Sequence, residues 1–258
     1  MQEKMTSTTV PQSNSTTTDW KKTGQRLVYS LIDPLIRWCI RCGITPNVIT
    51  LVGFLLNLVA AAIFIFGAEY YGRNDHQIVG WACAVVLLAG LMDMIDGRLA
   101  REGKMASEYG ALFDSVLDRY SEMFMFLGIC YYLIAQDYFF SSLLAFIAMI
   151  GSIMVSYTRA RAEGLGLKMA DIGFMQRPER ILLIGISGII CGLMSKILGP
   201  DCIVVVSWLP IPLFEIISFF TIPIGFLALT ANATAIARLR AAEKMFSETA
   251  AEKNKLNP

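Results

Sequence analysis

The chain of 258 residues is 55% hydrophobic and 17% charged, with a formal net charge of +1. Soluble domains average about 45–50% apolar residues, so this composition excludes an ordinary soluble enzyme and predicts an all-α integral membrane protein. With no basic excess, a nucleic-acid partner is not expected.

Residues 1–19 hold nine Ser and Thr and no continuous apolar core, so a disordered tail is expected there rather than a signal peptide. Residues 20–43 interleave Trp20, Leu27, Leu31, Ile32, Leu35, Ile36 and Trp38 with Lys21, Lys22, Arg26, Arg37 and Arg41. That mixture predicts a juxtamembrane amphipathic helix lying on an anionic membrane surface. Cys39 and Cys42 form a CxxC pair, but no second pair or flanking His completes a zinc site. The remaining cysteines sit in or beside apolar runs, where cysteine acts as a small hydrophobe, and no disulfide is expected.

Apolar runs at 46–68, 78–97, 110–135, 138–158, 180–198 and 211–237 each approach the ~20 residues a membrane span requires. They predict a catalytic domain of six transmembrane helices over 44–241, followed by a polar C-terminal tail at 242–258. With the N-terminus inside, Arg73 and Lys196 are the only basic residues in outside loops, and the other 20 of the 22 Lys and Arg lie at or near the cytoplasmic side. Both termini are therefore expected in the cytoplasm, in a cytoplasmic or inner membrane. The single histidine, His76, falls in an outside loop, which removes it from cytoplasmic acid–base chemistry.

The second and third runs carry Asp93, Asp96, Asp114 and Asp118. A charged side chain at bilayer depth costs roughly 2.5–3.5 kcal/mol, so four of them imply a polar cavity that binds something cationic. Asp93, Asp96, Gly97 and Ala100 share one helical face; Gly110, Asp114 and Asp118 share another at i, i+4 and i+8. Two such faces pressed together would gather the carboxylates near the cytoplasmic boundary. Oxygen donors without His or Cys favour Mg²⁺ or Mn²⁺ over zinc. Gly97, Ala100 and Gly110 would leave room for phosphates beside bare backbone, and Arg101 could meet a phosphate through its fork of donors. Packing alone does not explain four acids, because internal ion pairs would need equal numbers of partners.

These residues resemble the signature of the CDP-alcohol phosphatidyltransferase family, D-x-x-D-G-x-x-A-R-x8-G-x-x-x-D-x-x-x-D, matched from Asp93 to Asp118 without substitution. The resemblance implies a six-span, generally homodimeric membrane enzyme in which a hydroxyl attacks the lipid-side phosphorus of a CDP-linked donor and CMP leaves. It implies that Asp93, Asp96 and Asp114 hold metal, with two ions expected, and that Asp118 acts as general base beside them. Two ions about 3.5–4 Å apart can clamp an in-line displacement. A carboxylate beside cations is a weak base, so Asp118 would depend on the metal or a neighbour to acidify the hydroxyl. Gly97, Arg101 and Gly110 would surround the CDP diphosphate. Thr45-Pro46-Asn47 and Thr50 match the family's start of the first span, placing Asn47 near the nucleotide, and Thr45 also suits a helix cap with Pro just inside.

Ser156-Tyr157-Thr158-Arg159-Ala160-Arg161-Ala162-Glu163 and Gln176-Arg177-Pro178-Glu179-Arg180 resemble the SY-x-K-ARAE and ERPER segments of the phosphatidylinositol phosphate synthase branch. That resemblance implies an acceptor-phosphate pocket built from Ser156, Arg159, Arg180 and Arg238. Arg159 replaces a usual Lys and Gln176 a usual Glu, the first keeping charge while changing donor geometry. Arg161, Arg177 and Arg240 are expected to be positive-inside anchors. The expected reaction transfers a phosphatidyl group from a CDP-linked lipid such as CDP-diacylglycerol to myo-inositol 1-phosphate, with free inositol or glycerol 3-phosphate as alternative acceptors. An ion channel or transporter is the non-enzyme alternative. Against it, all four acids lie toward one end of two adjacent spans, and no inverted repeat is evident.

Overall fold

A computed structural model describes residues 32–72, 75–167, 173, 175–199, 203–204 and 214–256. The expected tail at 1–19, the first half of the amphipathic segment, Arg73 and Cys202 lie outside the described residues. The chain divides into two units, with the boundary after Ile44. In the first, α1 (32–41) buries Ile32, Ile36 and Cys39 along one stripe at i, i+4 and i+7 and exposes Arg37 and Arg41. A turn closed by the Ile44 N–H donating to Cys39 O at 3.0 Å ends it.

Among the described residues the second unit holds six long helices: α2 (Pro46–Tyr70), α3 (Gln77–Glu102), α4 (Glu108–Ala135), α5 (Phe139–Glu163), α6 (Arg177–Leu198) and α7 (Ser218–Leu256). Their starts follow from local chemistry. Pro46 opens α2 at a position whose N–H would be unpaired anyway, and Thr45 precedes it in extended backbone, although its side chain makes no capping bond. Ser107 caps α4 by accepting from the Gly110 N–H at 3.0 Å. All six predicted runs coincide with these helices except at the C-terminal one, where the prediction began at 211 and α7 begins at Ser218. Just ahead of α7 lies a short antiparallel ladder, β1 (Ile203–Val204) on β2 (Phe214–Glu215), so the fold is all-α but for this ribbon. The polar segment expected after 241 continues α7 as helix to Leu256.

Among the described residues five helices are long and apolar enough to cross a membrane, namely α2, α3, α5, α6 and α7. At 28 residues α4 is also long enough, but it carries Asp114, Asp118, Arg119 and Glu122 on the way. Packing links the helices in the cyclic order α2, α3, α6, α7, α5, α4 and back to α2. Inside this ring Phe64, Phe126, Tyr132 and Phe220 are fully buried, with Phe64 stacked on Phe220 at 6.1 Å and edge-on to Tyr132 at 6.0 Å. One expectation changes here. The carboxylate-bearing α3 and α4 each pack along α2 rather than on one another, and the gap this leaves is where the polar residues lie.

Elsewhere the helices meet closely through small residues, the usual route to tight packing where lipid removes the hydrophobic drive. At the α3–α6 crossing, a Cβ on Gly192 would stand 2.6 Å from the Cα of Gly80 and 2.8 Å from its nitrogen. Backbone cannot yield as a side chain can. Gly192→Leu is therefore expected to cost about 1–3 kcal/mol or more through overpacking. Thermal unfolding in detergent micelles should show a lowered Tm, and an unchanged Tm would contradict the crossing.

Candidate active site

The link between α3 and α4 spans only residues 103–107, so Asp93 lies about as far before the end of α3 as Asp118 lies beyond the start of α4. The two helices thus present their acids at one depth. Asp93, Asp114 and Asp118 each offer an oxygen, all within 4.8 Å of one another. Asp96 stands apart from this trio. Three residues along a helix rotate a side chain by about 60° short of a full turn, which points Asp96 toward α2, where it accepts from Thr50 Oγ1 at 2.7 Å. His76, at the other end of α3, lies about 25 Å of helical rise from Asp93, buried beside Tyr132 with its Nδ1 at 2.9 Å from the hydroxyl.

Arg177 corrects the anchor reading given to it from sequence. Its Nη1 lies 2.6 Å from Asp93 Oδ1 and 2.6 Å from Asp118 Oδ2, so a guanidinium sits among the acids. The balance is incomplete, because Asp114 Oδ1 and Arg177 Nε are buried and find no hydrogen-bond partner among the described residues. An all-oxygen donor set containing an unsatisfied buried carboxylate oxygen fits a hard divalent cation.

Two cavities flank the acids. The smaller, about 240 Å³, is lined by Asn47, Thr50, Asp96, Gly97, Arg101 and Gly110, with Asp114 at its edge. A Cβ on Gly110 would come within 3.3 Å of Asn47 Oδ1, so glycine keeps this cradle open. Every residue expected around a CDP diphosphate borders this space. The larger cavity, about 510 Å³, brings together Ser156, Arg159, Arg180 and Arg238 from three helices, with Asp114 and Asp118 in its wall. The four residues expected at an acceptor phosphate thus converge.

Their side chains are held to different degrees. Arg159 is partly exposed and donates to Glu163 one turn on, at 2.9 Å. Arg238 is buried and donates to Val155 O at 2.6 Å. Arg180 is 1% exposed and donates from Nε at 3.0 Å and Nη2 at 2.7 Å to Oε1 of Glu122, itself 3% exposed. Glu122 was missed from sequence. The signal was present: it extends the Gly110, Asp114, Asp118 spacing by one more turn.

A family model for the CDP-alcohol phosphatidyltransferases matches residues 43–213, two-thirds of the molecule. The chain belongs to that family. The phosphatidyltransferase is similar to the archaetidylinositol phosphate synthase of Pyrococcus horikoshii, 34% identical over 168 residues that make up 65% of this chain and 79% of that protein. It is 33% identical to the phosphatidylinositol phosphate synthase of Mycobacterium tuberculosis over 153 residues, 58% of this chain and 65% of the relative. A crystal structure of the Mycobacterium tuberculosis enzyme with CDP-DAG bound shares the fold, with a TM-score of 0.61 and 26% identity over 81% of this chain and 92% of that one. The phosphatidyltransferase is thus an enzyme of phospholipid synthesis built from membrane helices, and the channel alternative falls away.

Within it, the Glu122–Arg180 pair is fully enclosed, and removing one partner leaves an uncompensated buried charge. Glu122→Ala is expected to cost about 3–5 kcal/mol. The double variant Glu122→Ala with Arg180→Met should recover part of that loss in a denaturation series. Equal destabilisation by the single and double variants would contradict the pairing.

Proposed function

We propose that the phosphatidyltransferase moves a phosphatidyl or related phospholipid group from a CDP-linked lipid onto the hydroxyl of myo-inositol 1-phosphate and releases CMP. The observation that carries this reading is the larger cavity, where arginines from α5, α6 and α7 converge beside the carboxylates. Arginine donors from three helices at one wall suit an anionic acceptor, and inositol phosphate supplies both that anion and the attacking hydroxyl. The names of the similar proteins, archaetidylinositol phosphate synthase and phosphatidylinositol phosphate synthase, support the same choice.

In this reading the donor diphosphate lies in the smaller cavity against Gly97, Gly110 and Arg101, with Asn47 near the nucleotide. The acceptor phosphate meets Ser156, Arg159, Arg180 and Arg238. Asp118 borders the acceptor cavity and not the donor cavity, which suits a base that takes the hydroxyl proton as the new O–P bond forms and the bond to CMP breaks. Asp93, Asp96, Asp114 and Asp118 would hold Mg²⁺ or Mn²⁺, two ions in the full site, which would supply charge neutralisation on the diphosphate and the departing CMP. Glu122 holds Arg180 at the acceptor wall.

The same reading makes α4 the sixth span, since its charged residues line the site rather than lipid. It places both termini and the active site on the cytoplasmic side, by the distribution of basic residues. It makes α1 part of a juxtamembrane amphipathic helix and the working unit a homodimer.

Purified protein supplied with CDP-diacylglycerol should release CMP most efficiently with inositol 1-phosphate; a preference for free inositol or glycerol 3-phosphate would overturn the acceptor. Asp118→Asn is expected to lower kcat by about 10²–10⁴, the usual contribution of a positioned base, with the fold retained by size-exclusion chromatography. Arg159→Ala should raise KM for inositol phosphate by roughly tenfold or more, as the loss of a charge-assisted hydrogen bond implies, and leave KM for the CDP-lipid unchanged.

A further inference from the structure

Arg177 bridges Asp93 and Asp118 among the expected metal-binding acids, and it also lines the acceptor cavity. Its Nη1 uses Asp93 Oδ1 and Asp118 Oδ2 at 2.6 Å each. A divalent ion would claim the same oxygens at about 2.0–2.6 Å, so guanidinium and metal compete for one position. The guanidinium is also an imperfect occupant. It leaves its own Nε and Asp114 Oδ1 buried without partners among the described residues, and it bonds only two of the three carboxylates that lie within 4.8 Å of one another. Burying unsatisfied polar atoms is costly, so the arrangement is one that a better-matched cation can displace.

We propose that Arg177 is a displaceable internal counterion that couples the two substrate sites. Resting on the proposed reaction, the inference adds a residue and a linkage to it. With the acids free of metal, Arg177 holds Asp93 and Asp118 together. When a divalent ion is bound, Arg177 leaves the acids for the cavity it already lines, and there adds a fourth cation to Arg159, Arg180 and Arg238. An anion in that cavity draws Arg177 the same way and so favours metal binding. Linkage makes the effect reciprocal: metal tightens the acceptor phosphate by the factor by which acceptor phosphate tightens metal. An ion pair that served only to hold α6 against α3 and α4 would produce no such coupling.

The test is Mn²⁺ binding to the full-length protein in nanodiscs, followed by electron paramagnetic resonance without CDP-lipid so that no turnover occurs. Wild type, Arg177→Gln and Arg177→Lys are titrated alone, with inositol 1-phosphate and with inorganic sulfate. In wild type, anion should tighten Mn²⁺ binding by roughly fivefold or more, the lower end of typical coupling. Arg177→Gln should bind Mn²⁺ more tightly than wild type without anion and lose the anion effect, while Arg177→Lys should retain part of it. The inference is overturned if Arg177→Gln binds Mn²⁺ no better than wild type, or if the anion effect persists in that variant, as it would if the anion ligated the ion directly. Coupling to sulfate but not to inositol 1-phosphate would uphold the role of Arg177 and overturn the choice of acceptor instead.

Discussion

Carboxylates crowded together in an apolar bundle repel one another, and this enzyme is organised around managing that repulsion. Asp93, Asp114 and Asp118 lie within 4.8 Å of one another on helices that elsewhere meet hydrocarbon or packed side chains. Like charges at such separations interact by several kcal/mol even at the effective dielectric of a protein surface. A cation offsets that cost, whether the Arg177 guanidinium or a divalent ion. Other features of the site follow from it. The helices bearing the acids do not pack on each other, which leaves room for ligands, and the remaining arginines stand off at the wall of the larger cavity.

The ring of helices makes this opening tolerable. Aromatic residues from α2, α4 and α7 fill the centre, and glycines at the α3–α6 crossing bring backbone against backbone. Tight packing in that part of the bundle leaves the gap between α3 and α4 as a local concession rather than a general looseness. The Glu122–Arg180 pair adds a second polar clamp one turn beyond Asp118, joining α4 to α6 where an apolar contact would have given Arg180 no fixed direction.

Much of this was legible in the sequence. The six helices followed from hydrophobic runs, because each run matched the length of a span and was bounded by Pro, Gly or polar residues. The residues expected at both cavities were implied by the family resemblance, while helical periodicity placed Gly97 and Arg101, or Asp114 and Asp118, on common faces. Three things were not legible, each because it depends on a third element. The spacing of the acids gives no sign that Asp96 accepts a hydrogen bond from Thr50 of α2. Arg177 was read as a surface anchor because its partners lie on α3 and α4, far away in sequence. The pressed faces of α3 and α4 were inferred from their neighbouring positions in the chain, whereas α2 packs against both.

The two cavities also divide the sequence. Everything lining the smaller one comes from α2 to α4, everything lining the larger from α4 to α7, and α4 alone serves both. In the proposed reaction one half of the polypeptide serves the activated lipid and the other the alcohol, with a single helix as their common wall. Such a layout lets the alcohol-binding half diverge while the half that handles the nucleotide stays intact.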